Sequence, residues 1–588
     1  MSDELNEMEN FGKRPMGDFS GSSLPPPQKR PRAAVDASQQ AAALLAAAEK
    51  EAEGLDVDAL DANSLKRLIL HVEKQINSNT QMRMKYADQP ERFMDSELEL
   101  YQSLKGLHAV AASPELYGTF AKTKCMASLL GLLSHENADI ANDTLELLQE
   151  MAGAEDASPD DLGLLIDALL EHDGATTLAH NLARLNDADE DEAQAVHSTL
   201  TIFESVLEAR PDTATALAQR TPLLPWLLNR VKARGFHANK LFASELLALL
   251  LQQQPSNQQH LGATDGVLAL LTACAQYKRK EPADLEESEL VENVYNALAA
   301  ALELGANQAL FLKAEGLELM VLTLKERKYA SRGALRVLDA AMAHNGANCE
   351  RFVDIRGFKT LFPLVGGAPP PPPPFAKSKG DKEGAQRQHD EHVSAILTTL
   401  FHQLEGERRQ RLLGKFAEED MAKLTRLLAL RGKYDVRVGD AEEAAEAALA
   451  QDEEEDEDDD DDDAKPTAEE RVYLAKAEAG LPTLLKIDVV LGYIATAKAK
   501  VLKSAVLHTL YEQGRSLHDV ATNIDEELKM VAGGAGDDGR ADPARDAHLA
   551  AMSTAVQAIL AKYQQQPALP APVEEVEEGR QGKGKASV

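Results

Sequence analysis

The chain has 588 residues, 44% of them hydrophobic but only 4% aromatic, and a formal net charge of −35. Leucine and alanine must therefore fill the interior, which favours helix-on-helix packing over a β-sandwich. The negative field repels nucleic-acid phosphates and anionic lipid and attracts basic protein segments, so neither direct nucleic-acid binding nor membrane binding is expected.

Taken in chain order, residues 1–57 read as a disordered segment rich in proline, glycine, serine and alanine. Two short basic clusters stand in it, Lys13-Arg14 and Lys29-Arg30-Pro31-Arg32. A basic cluster beside proline in such a setting has the form of a nuclear localisation signal, which is assigned to Lys29, Arg30, Pro31 and Arg32. The first residues are acidic and lack the basic-then-apolar order of a secretory signal. Leu65, Leu68, Ile69 and Val72 share one helical face, capped by Asn63 or Ser64, and residues 90–107 form a second such helix. Together they predict an N-terminal helical cap over 58–120.

From residue 124 to 404 the sequence repeats. Cys125, Gly174, Pro222, Gly266, Gly316 and Gly357 each precede a leucine-rich run, at intervals of 49, 48, 44, 50 and 41 residues. Each run is followed by a polar loop and a second, longer apolar helix; residues 238–252, with Leu241, Leu246, Leu249 and Leu250 as core, are one example. That period fits armadillo or HEAT units of roughly 40–47 residues, which stack into a solenoid whose product is surface. The fold class expected is all-α: an armadillo/HEAT-like α-solenoid with an N-terminal helical cap and a C-terminal helical region. The repeats span 121–434, interrupted at 366–388 by six consecutive prolines and a Lys/Gly-rich piece. An acidic linker follows at 435–467, holding twelve consecutive acidic residues, then helices over 468–565 and a tail over 566–588.

Catalytic patterns are not expected. Gly579 to Gly584 nearly spells a phosphate-binding loop, but Ala586 stands where Ser or Thr would hold the metal. His389 and His392 lie one turn apart, but a solvated helix start explains them better than zinc. The acidic run lacks the glycine turn of a calcium loop. Cys125, Cys274 and Cys349 form no CxxC and read as buried thiols of a reducing compartment. No cofactor is called for. The productive pattern is acidic: Glu146, Glu150, Glu204, Glu208, Glu245 and Asp339 occupy comparable points of the long helices. Stacking would align them into a ladder suited to a Lys/Arg peptide.

Several runs resemble the family of β-catenin-like protein 1: PERFMDSELEL (90–100), SLLGLLSHEN (128–137), HANKLFASELLALLLQ (237–252), FLKAEGLELMVLTLKERK (311–328), ALRVLDAAM (334–342), NCERFVDIRGFKTLFPL (348–364) and RLLGKFAEED (411–420). The resemblance covers 61–434 and returns at 470–481. It implies a nuclear, non-catalytic armadillo scaffold of the spliceosome, close to the ubiquitin-ligase-containing nineteen complex. The partners it implies are a cell-division-cycle-five-like Myb-type splicing factor, bound through its basic segments, and other nineteen-complex components; a homodimer is left open. The alternative is an import adaptor of the importin-α kind. Those grip basic signals with a ladder of tryptophan and asparagine, whereas this chain has one tryptophan, Trp226.

Overall fold

The computed structural model describes residues 60–187, 189–370, 382–455, 467–533 and 543–563. Among the described residues all regular structure is helical, as the low aromatic content requires. The localisation-type cluster Lys29, Arg30, Pro31 and Arg32, the prolines after Pro370, the acidic residues 456–463 and the tail lie outside them.

The described residues up to Ala109 and those from Val110 form two compact units. In the first, helices Ala62–Lys85 and Met94–Leu107 pack together. Leu65, Ile69 and Val72 are buried on one, Leu100, Leu104 and Leu107 on the other. The N-cap is Asp61, which accepts the Ser64 N–H at 2.7 Å, rather than Asn63 or Ser64. The cap also ends earlier than residue 120. Tyr117 belongs to the second unit, where its buried hydroxyl donates to the Met151 carbonyl at 2.9 Å.

The second unit is built from six three-helix repeats among the described residues. Repeat one comprises Tyr117–Ala121, Cys125–Leu132 and Ala138–Ala152; repeat two Pro159–Glu171, Gly174–Leu182 and Glu190–Ala209. Repeat three comprises Ala214–Arg220, Leu223–Lys232 and Ala238–Leu251; repeat four Pro255–Ala263, Gly266–Gln276 and Leu285–Ala301. Repeat five comprises Gly305–Lys313, Gly316–Glu326 and Ser331–Met342; repeat six Gly346–Asp354, Phe358–Leu361 and Lys382–Gln403. The six opening signals thus mark second helices. The short first helices escape a hydrophobic-period search because much of what they bury is polar: Asn257 and Gln258 with Leu261, Asn307 and Gln308 with Phe311.

Those polar residues recur for a reason. A helix leaves its last carbonyls without partners, and burying them so would be costly. Asn257 donates to Leu250 O at 2.8 Å and to Ala214 O at 3.2 Å, Asn307 to Ala301 O and Gln258 O at 2.8 Å each, and Asn348 to Ala341 O at 2.6 Å. Each asparagine ties off the preceding third helix, and Asn257 and Asn307 also reach a neighbouring first helix. The glycines have a steric role. Glu315 adopts φ 57°, turning the chain so sharply that a Cβ on Gly316 would lie 2.4 Å from the Phe311 ring. The same pairing joins Asp265 to Gly266 and Arg356 to Gly357.

Third helices of successive repeats pack side by side from Ala138–Ala152 to Lys382–Gln403, and the last packs against Leu481–Thr496. That helix is buried nearly all round (Leu484, Leu485, Ile487, Val489, Val490, Leu491 and Ile494) and forms the centre of the C-terminal bundle. Helix Ala422–Glu455 runs through the first part of the expected linker. Its alanine- and glutamate-rich stretch over 441–450 has high helix propensity, which the charge-run reading underweighted. Likewise Lys382–Gln403 begins inside the expected insertion. Among the described residues no single helix is long and apolar enough to cross a membrane.

Candidate peptide-binding face

Because third helices lie side by side, residues one repeat apart become neighbours. Glu204 of repeat two, Glu245 of repeat three and Glu289 of repeat four form such a row. Glu245 is half-buried, and its carboxyl is pushed up to about 7, first by burial and then by the carboxylates of Glu289 and Glu204. Glu204 is also raised, by burial and then by Glu208 one turn along its helix. The row is electrostatically unfavourable: among the described residues no cation pairs with these like charges, which favours holding a proton on Glu245.

The expected residues divide accordingly. Glu204, Glu208 and Glu245 are brought into one coupled group. Glu289 completes it and was missed, although its 44-residue offset from Glu245 is close to the 41-residue offset of Glu245 from Glu204. Glu146 and Glu150 are exposed on the third helix of repeat one, where the intervening Gln149 meets Ser198 of repeat two at 3.4 Å. Asp339 is placed further along, in repeat five. Its carboxylate takes His392 Nδ1 at 2.9 Å, and it lines a groove of ≈ 490 Å³ with Glu303, Arg336 and Asn296. Leu249, expected in the core, is 46% exposed beside this face, whereas Leu247, Leu250 and Leu251 are buried.

The residues considered for chemistry are otherwise engaged. His389 meets the Leu364 carbonyl at 3.2 Å while His392 turns to Asp339, so the two do not converge on a metal. Nor is this a solvated helix start. His389 and Asp390 are buried, and Asp390 accepts from the Tyr434 hydroxyl at 3.1 Å, because the C-terminal helices cover this turn. All three cysteines are buried, and burial pushes the Cys349 thiol up to about 12. The near-phosphate-loop at Gly579 lies outside the described residues. Trp226 sits on a second helix, off the face made by the third helices.

Three-helix repeats with aligned third helices and a coupled row of carboxylates define the chain as an armadillo-type α-solenoid. Its sequence places it more narrowly. The profile of the family described as "Catenin-beta-like, Arm-motif containing nuclear" matches residues 39–525. The chain belongs to this catenin-beta-like family. Beta-catenin-like protein 1 of Mus musculus and of Homo sapiens are each 38% identical over 480 residues, covering 81% of this chain and 83% of theirs. The Beta-catenin-like protein 1 homolog of Schizosaccharomyces pombe is 30% identical over 392 residues, 66% of each chain. A solved engineered protein overlays at TM-score 0.42 with 11% identity, covering 82% of this chain and 99% of its own; the fold assignment rests instead on the repeats themselves.

Proposed function

We propose that this chain is a non-catalytic nuclear scaffold of pre-mRNA splicing that captures basic segments of splicing proteins on the face of its third helices. The observation that carries this is the coupled row Glu204–Glu245–Glu289, which an arriving lysine or arginine would discharge. The family's description as nuclear and its armadillo motifs support the setting. The partners proposed are a cell-division-cycle-five-like Myb-type splicing factor and other members of the nineteen complex. The buried thiols and the dispersed histidines favour a surface over a reaction centre.

The test is binding of a fluorescein-labelled peptide with a block of lysines and arginines to the full chain, followed by anisotropy. Affinity is expected to fall steeply with salt, since the complex is held by charge at a wet surface. Replacing Glu204, Glu245 and Glu289 together by Gln is expected to weaken it at least about tenfold with the melting temperature unchanged or raised. Salt-independent binding that the triple variant keeps would place the site elsewhere.

A further inference from the structure

Further along the stack, two arginines share a recess. Between the third helices of repeats four, five and six lies a cleft of ≈ 560 Å³. It adjoins the groove at Asp339, with Asn296, Arg336 and His392 lining both. Arg332 and Arg336 enter it from one helix at i and i+4, a like-charge pairing that costs a few tenths of a kcal/mol where nothing compensates. Gly333 lets that helix approach closely: a Cβ there would lie 2.5 Å from the Tyr295 ring.

The carboxylates in the two cavities are partnered. Glu292 accepts from the Tyr329 hydroxyl at 2.5 Å, Glu391 pairs with Lys486 at 3.3 Å, and Asp339 holds His392. The cations are not equally served. Arg332 spends one terminal nitrogen on the Pro370 carbonyl at 2.9 Å, while its Nε is buried with no partner. Arg336 is half-buried, and among the described residues no hydrogen bond or ion pair holds its guanidinium, although Glu292 and Tyr329 face it electrostatically. A planar guanidinium with free donors in a recess matches a carboxylate or phosphate, which it grips with two parallel hydrogen bonds.

We propose that the Arg332–Arg336 cleft is an anion subsite for the same extended peptide whose basic residues lie on Glu204, Glu245 and Glu289, and that it takes an acidic or phosphorylated side chain flanking the basic block. This rests on the peptide-binding reading above. The cleft would then reject peptides that are basic throughout, since Arg336 repels a lysine, and would select those of mixed sign.

The experiment compares labelled peptides of four kinds on the full chain: the basic block flanked by serine, by aspartate or by phosphoserine, and a phosphoserine peptide with no basic block. The flanking residue is placed on either side in turn. The phosphoserine flank is expected to tighten binding about tenfold over serine on one side only, with aspartate in between. Arg336→Gln is expected to abolish that gain while leaving serine-peptide affinity equal or better, and Arg336→Lys to keep only part of it. A gain that survives Arg336→Gln, or a phosphoserine flank that weakens binding on both sides, overturns the subsite. If the serine peptide does not bind at all, the groove reading fails separately. The peptide without a basic block then decides: binding lost in Arg336→Gln retains the cleft, and no binding overturns it too.

Discussion

The acidic face of repeats two to four and the junction of repeat six with the C-terminal helices use carboxylates in opposite ways. On the face, Glu204 and Glu245 are half-buried and Glu289 is exposed, and among the described residues no ion pair joins any of the three to a cation. At the junction Arg431 and Asp488 are both 0% exposed, joined through Arg431 Nε at 2.7 Å and Nη2 at 3.1 Å, with Asn523 also donating to Asp488. Asp390 nearby takes the Tyr434 hydroxyl. Carboxylates at the junction have their donors within the fold and hold it together; among the described residues, no cation pairs with those on the face.

Breaking the junction should have the largest effect. A chain ended at residue 455 would lose Asp488 and the apolar helix Leu481–Thr496, leaving Arg431 without its buried partner and the third helix of repeat six uncovered. It is expected to aggregate on expression, whereas the full chain stays soluble. Asp488→Ala in the full chain should cost about 3–5 kcal/mol in urea unfolding, because an unpaired buried guanidinium remains. Preserved stability would show that water reaches Arg431.

Within the stack, Asn307→Ala removes two buried hydrogen bonds and leaves the helix-end carbonyl of Ala301 without its side-chain donor. About 2–3 kcal/mol of destabilisation is expected, and increased amide exchange should be concentrated in repeats four and five.

The face should respond in the opposite direction. Because the Glu245 carboxyl is raised to about 7, folding favours its protonated form. Its contribution to stability is complete below the ordinary glutamate range and is lost as pH rises from there through about 7. Glu245→Gln should therefore be neutral at pH 5 and slightly stabilising at pH 8, which thermal melts at the two pH values would show. Binding of a basic peptide should expel the proton. Calorimetry near pH 7 in buffers of different ionisation enthalpy should detect proton release, and Glu245→Gln should abolish it.

The legibility of the two regions differs as their physics does. The six opening signals and the long apolar helices could be read from sequence because a glycine packed against an earlier phenylalanine or leucine leaves a periodic mark. Glu204, Glu208 and Glu245 could be read because repeat spacing alone aligns them, and Glu289 lay within reach of the same arithmetic. The short first helices could not, since their asparagines and glutamines look like loop until the carbonyls they serve are in place. Leu249 misled for a related reason: every position of LLALLL looks apolar, and only the packing of neighbouring helices shows which side is covered.

Sequence by itself determined that this chain is a helical repeat stack with an acidic surface, because period and charge are properties of order along the chain. Tertiary structure alone decided that Asp339 pairs with His392, that His389 and Asp390 are covered rather than solvated, and that Arg336 shares a cleft with His392. Those partners are tens of residues apart, and only stacking brings them within reach of a hydrogen bond.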